Sequence, residues 1–383
     1  MALRGLSCYL PLVLRQRNSP RLAILYAAVK LNCLTCRAEA RRYLLSEDVV
    51  RLQDFQQKKL AVAQQVSGSK GHFFNVINQK IEMNQLILKD ELKLLLFLCQ
   101  SPEDMVTARN AIYRYHEENC NVAFGEFRFG PVFMRLCYEL GLADLAHTTL
   151  TDKRLKGFFP DCTSFNLAID LLFSKGHYEG SLELMWEMKA QGVAFNKDTF
   201  TLAFATCYKL NTPKSYEICL ALLEEGQAKG SFIPRHAYCI AVAFALKQDD
   251  VEQAQSIYSQ IINTDSRLCQ NLRILLLAMA GSIKDAVSVL TAALLSSSLV
   301  FVKKPDFCQE VVDVLRERSE DGPWRVQVEH LVKQLQEAGQ VNLQNLDHLL
   351  YHTPKGKRKL LPFLKEGNWR TNSRRTLRPL LSD

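Results

Sequence analysis

Apolar positions recur along this chain with the period of a helix. Between Cys162 and Asn196, the residues Phe165, Ala168, Ile169 and Leu172 fall at i, i+3, i+4 and i+7, one face of an α-helix. Ser174-Lys175-Gly176-His177 then interrupts the pattern, with a glycine where a helix end is expected. A second apolar series follows in Leu182, Leu184, Met185 and Met188, and Gly192 stops it. These 35 residues predict one helical hairpin.

The same unit recurs on both sides. Phe129, Phe165, Phe200 and Tyr238 open successive first helices at spacings of 36, 35 and 38. In the second helices, a small or short residue precedes a pair three and four places on. The copies are Ala108 with Ala111-Ile112, Ala146 with Thr149-Leu150 and Ser181 with Leu184-Met185, then Ser215 with Ile218-Cys219, Ala254 with Ile257-Tyr258 and Ala286 with Val289-Leu290. A small side chain lets two helices approach closely while the larger pair fills the neighbouring groove. A hairpin of this kind cannot bury its apolar faces alone, so neighbours must stack. The expected fold is all-α, a right-handed superhelical solenoid across 91–305 with capping helices at 44–90 and 306–352. The second cap is signalled by Asp321-Gly322-Pro323 ahead of Val328, Leu331, Val332 and Leu335.

Thr163-Ser164-Phe165-Asn166, then Lys175-Gly176, then Ser181-Leu182-Glu183-Leu184-Met185-Trp186-Glu187-Met188-Lys189 and Gly192-Val193 closely resemble a pentatricopeptide repeat. The tetratricopeptide alternative asks for Trp, Leu-Gly, Tyr and Ala at set places, which this unit does not supply. The resemblance implies binding of single-stranded RNA, each hairpin addressing one base through two side chains. One lies directly after the aromatic of the first helix and the other is the last residue of the repeat. In the 162–196 unit these are Asn166 and Asn196, each able to donate and accept hydrogen bonds and suited by analogy to a pyrimidine. The corresponding pairs elsewhere are Leu95 and Gly125, Gly130 and Asp161, Thr201 and Pro234, and Cys239 and Cys269. Of these, Asp161 and Thr201 are the further candidate RNA contacts.

Charge divides the chain into three. Residues 1–42 and 353–383 each carry a net charge of +7, which leaves 43–352 at −6 within the overall +8. The first stretch has spaced arginines, no acidic residue before Glu39 and short apolar runs, the composition of a mitochondrial transit segment over 1–43. Arg41-Arg42-Tyr43 resembles an arginine-containing cleavage site, so the mature chain is expected to begin near Leu44 in the matrix. The basic tail interleaves Lys355, Lys357, Arg358, Lys359, Arg374 and Arg375 with Phe363 and Trp369, a composition that attracts phosphates and stacks on unpaired bases. It reads equally as a disordered arm that is merely solvated or docks on a ribosome.

No sequence pattern for chemistry survives. The chain has no HExxH, no GxxxxGK[ST] and no GxGxxG, and its single CxxC, Cys33 to Cys36, lies in the expected transit segment. Asp249-Asp250 fits a turn and helix cap better than a metal site. His177 and His236 read as surface histidines, and Trp186, on a second helix, is expected in the core. The longest uncharged run, Ala286–Val302, carries four serines and is too short for a membrane span. The expectation is a non-catalytic, cofactor-free mitochondrial RNA-binding protein that aids processing, maturation or stability of transcripts, alone or with the mitochondrial ribosome or RNA-processing proteins. The alternative is a helical scaffold for protein partners such as a ribosomal or respiratory-complex assembly intermediate.

Overall fold

The computed structural model describes residues 43–66, 70–119, 127–295 and 306–352. The expected transit segment up to Arg42 and the basic tail from 353 onward, including its candidate RNA contacts, lie outside the described residues. The chain enters through α1 (Glu47–Val50), α2 (Leu52–Gln65) and α3 (Lys70–Glu82). Six hairpins follow. Their first helices are α4 (Lys89–Leu98), α6 (Gly130–Leu140), α8 (Cys162–Lys175), α10 (Lys197–Leu210), α12 (Arg235–Lys247) and α14 (Arg267–Met279). Their second helices are α5 (Pro102–Asn119), α7 (Ala143–Thr151), α9 (Tyr178–Ala190), α11 (Pro213–Ala228), α13 (Val251–Ser259) and α15 (Ile283–Leu295).

The first helices from α6 to α14 pack one on the next, and from α8 onward each second helix folds against the first helix of its own hairpin. All six small positions read from the sequence lie at these crossings: Ala108, Ala146, Ser181, Ser215, Ala254 and Ala286 are each at most 2% exposed. The two serines show how close the approach is. Ser181 Oγ donates to the Ile169 carbonyl at 3.4 Å and Ser215 Oγ to the Cys207 carbonyl at 3.1 Å, both on the partner helix. Helix α8 is buried from Ser164 to Phe173, because it is covered by α6, α9 and α10 together. It ends on Gly176, whose φ of 82° and the 3.0 Å bond from His177 N to the Leu172 carbonyl close a left-handed cap.

The C-terminal cap differs from expectation in part. Helices α16 (Gln309–Ser319) and α17 (Arg325–Glu337) close the end of the array over a second apolar core that includes Val311, Leu315, Val328 and Val332. A two-residue parallel pair, β1 (Phe307–Cys308) with β2 (Val341–Asn342), staples them. The chain then turns back. The short α18 (Leu346–Leu350) lies on the first helices rather than at the end. Asp347 accepts from Tyr208 Oη at 2.8 Å, the Leu350 carbonyl meets His236 Nε2 at 2.8 Å, and Tyr351 packs on Phe173 and Tyr208. His236 is therefore no free surface histidine. Its burial lowers its pKa, which keeps the ring neutral as a partner for that carbonyl. No described helix is long and apolar enough to cross a membrane.

Candidate nucleic-acid interface

Each first helix opens beside the previous one, and the candidate reading side chains meet at these seams. Asn196 is the N-cap of α10: its Oδ1 accepts from Asp198 N at 3.0 Å and Thr199 N at 2.9 Å. The same oxygen takes a 3.1 Å bond from Asn166 Nδ2, while Thr199 Oγ1 donates to Asn166 Oδ1 at 2.8 Å. Asn196 Nδ2 reaches Cys162 Sγ at 3.1 Å. The structure thus brings Asn166 and Asn196 together. It also gives them unequal roles, since Asn166 is buried and Asn196 is half-buried at the mouth of the seam.

The other candidates vary. Asp161 caps α8 by accepting from Ser164 N at 2.8 Å, and it is buried. Its expected partner Gly130 does face it. A Cβ at Gly130 would stand 2.5 Å from Ser164 Oγ and 3.3 Å from Asp161 Oδ2, so the glycine makes room for the cap. Thr201 is spent on its own helix, donating to the Lys197 carbonyl at 3.1 Å. Cys239 and Cys269 do meet, their sulfurs 3.4 Å apart. Yet Cys269 sits inside the first turn of α14, and the place of Asn196 is held there by Ser266, which caps Cys269 N at 3.2 Å. At three boundaries the residue read as ending the repeat, Asp161, Asn196 or Pro234, is physically the N-cap of the next first helix.

That register exposes a feature the sequence reading passed over. The first helical residue after the cap is Lys197 in α10, Arg235 in α12 and Arg267 in α14. Cations at a helix N-terminus oppose the helix dipole, so helix stability does not explain three of them in succession. Lys197 and Arg235 are exposed. Arg235 leans on Asn263 at 3.3 Å, and Arg267 pairs with Asp306 at 2.8 Å. The signal was available as a basic residue near the last three repeat boundaries, but it needed the true helix starts to be seen. A second polar feature, lined by paired arginines with Glu117 and Asp152, lies on α5 and the turn after α7. Arg109, Tyr113 and Arg114 on α5, joined by Arg154, line a polar cleft of about 380 Å³. There the Arg154 guanidinium stands 4.4 Å from the Tyr113 ring. Asp152, which accepts from Arg154 and from Tyr113, is held well below the usual carboxylate range by those bonds.

Two other expectations are settled here. Asp250 caps α13 through Gln253 N at 3.1 Å and accepts from Tyr216 Oη at 2.9 Å, as a cap reading requires. Trp186 is not in the core. It is 49% exposed, with Lys189 Nζ 5.4 Å from its ring, because α9 turns this side chain away from α8.

The family model described as mitochondrial 28S ribosomal protein S27 matches residues 21–357. Pentatricopeptide repeat-containing protein 2, mitochondrial, of Danio rerio is 55% identical over 361 residues, covering 94% of each chain. The Homo sapiens protein of that name is 45% identical over 346 residues, covering 90% of this chain and 88% of its own. The chain belongs to this family of mitochondrial pentatricopeptide repeat proteins. Among solved structures, pentatricopeptide repeat protein PPR10 from maize is similar at 13% identity and a TM-score of 0.33, over 84% of this chain and 59% of that one. The Asn166–Asn196 pair occupies the two places that the repeat resemblance singles out.

Proposed function

We propose that this mitochondrial protein binds single-stranded RNA along its repeat seams and, without catalysis, aids processing, maturation or stability of mitochondrial transcripts. The observation that carries the reading is the pair of exposed first-turn cations, Lys197 and Arg235, at successive seams beginning with the amide-lined one of Asn166 and Asn196. Cations attract the phosphates of a strand, and a carboxamide at the seam mouth addresses a base edge. Asn196 is the member that meets the base, through the one Nδ2 hydrogen that is not given to Cys162 Sγ. Asn166 and Thr199 orient it. The basic tail adds nine further cations for the phosphates of the same strand.

The test uses Asn196→Asp, which keeps the N-cap but deletes the donor, and the double change Lys197→Gln with Arg235→Gln. Filter binding to pyrimidine-rich RNA should weaken about tenfold for the first, the worth of one lost hydrogen bond, with a changed base preference. The second should weaken binding to all sequences alike. Unchanged affinity in both would overturn the reading.

The scaffold reading is favoured by the match to a family described as a ribosomal protein and by the acidic 43–352 body. Two exposed apolar side chains at successive repeat boundaries, Phe232 and Ile262, suit a protein partner. Co-purification of one protein partner after nuclease treatment, with no RNA bound by the purified chain, is the outcome that selects it.

A further inference from the structure

We infer that removal of the N-terminal segment at the Tyr43–Leu44 bond creates an α-ammonium on Leu44 that pairs with the buried carboxylate of Asp170. This rests on the transit-segment reading of residues 1–43 and is independent of what the repeats bind. Asp170 lies in the middle of α8 with no exposed surface. Its Oδ1 accepts from Leu44 N at 2.8 Å and its Oδ2 from Tyr138 Oη at 2.8 Å, and Leu45 N–H is a third donor. All three donors are neutral. Among the described residues no cation reaches this carboxylate, and the nearest charge recorded at its partner Tyr138, besides Asp170 itself, is another carboxylate, Glu47.

A buried carboxylate without a counter-charge is costly, and burial pushes Asp170 up to about 6. An apolar residue would fill the centre of α8 at no such cost. The atom that Asp170 reaches most directly is the nitrogen of Leu44, the residue after Arg41-Arg42-Tyr43. Hydrolysis of that bond by a presequence-cutting endopeptidase adds water across the amide. Tyr43 leaves with the new carboxylate, and the Leu44 nitrogen takes a proton to become an ammonium with three donors. Its ordinary pKa, about 7.7–8.0, leaves it charged near neutrality, and a carboxylate at hydrogen-bond distance raises it further. The nitrogen need not move, because it already stands 2.8 Å from Oδ1.

Order of events follows from burial. Leu44 and Leu45 are both sealed, so the bond is reached only before the fold closes over it, as in a chain imported unfolded. Asp170 then does for the mature chain what it does not do for the uncut one: it recognises the new terminus and pins it to the central repeat.

The experiment has two parts. Terminal mass spectrometry of the protein isolated from mitochondria should find Leu44 as the first residue, and any other start overturns the inference. Chains beginning at Leu44 and at Tyr43, each running to Asp383, are then melted at pH 7. The Tyr43 chain keeps the neutral amide and an extra ring contact, Tyr43 on Tyr138 at 4.7 Å, so packing alone makes it the more stable. The ion pair reverses that order, with the Leu44 chain melting at least about 2 °C higher. Asp170→Asn should restore the packing order. A Leu44 chain that melts level with or below the Tyr43 chain refutes the pairing, whatever the RNA affinity of either.

Discussion

At the residue scale, the small side chains of the second helices decide how closely the hairpins fold. Ala254 is fully buried on α13, which packs against α12. Its methyl touches where a larger group would force the helices apart. Ala254→Leu should therefore destabilise the chain by about 1–3 kcal/mol through overpacking, read as a lower urea midpoint at unchanged slope. Gly226 makes the same point from the other side: a Cβ there would stand 2.8 Å from the Phe200 ring. The seam residues obey a different logic. Asn196 caps a helix, is held by Asn166 and keeps one amide hydrogen for the seam mouth, so in the proposed function one residue serves both folding and recognition.

At the element scale, α18 behaves as a strap across the first helices. Asp347 accepts from the buried Tyr208 hydroxyl, and it lies 3.5 Å from Lys209 Nζ. Burial, and after it the Asp347 carboxylate, push the Tyr208 hydroxyl well above the usual phenol range. Removing the carboxylate leaves a buried donor without its acceptor, at a cost of about 1–3 kcal/mol. Asp347→Ala should accelerate amide exchange in 346–351 by an order of magnitude or more while the repeats keep their protection. Equal exchange in the two chains would show that the strap is held by Tyr351 packing instead. The hairpins themselves were legible at this scale, because period, glycine stops and small positions all point the same way. The return of α18 was not. Leu346–Leu350 is five residues long, and nothing in so short an apolar run says which distant surface it covers.

At the scale of the whole molecule, the charge division governs how the proposed function would hold RNA. A body at −6 attracts no polyanion at long range, so phosphate attraction falls to local cations and to the tail. Truncation after His352 should flatten the dependence of log affinity on log salt by roughly 2 or more, at about 0.7 per lost contact on a single strand. A slope unchanged by truncation would leave the seam cations as the whole electrostatic footprint.

Local sequence by itself determined the all-α class, the six hairpins and the places where they touch, because helical period and close crossings depend on residues three to eight apart. It also marked Asn166 and Asn196, through the phase of one well-formed repeat. Tertiary structure alone decided that these two amides bond to each other, that Ser266 rather than Cys269 takes the cap position, that Trp186 points outward, and that Asp170 meets Leu44 126 residues away. The physical reason is common to all four. Each depends on which face of one helix is covered by another, and that is set by the stacking of whole hairpins rather than by the local pattern within any one of them.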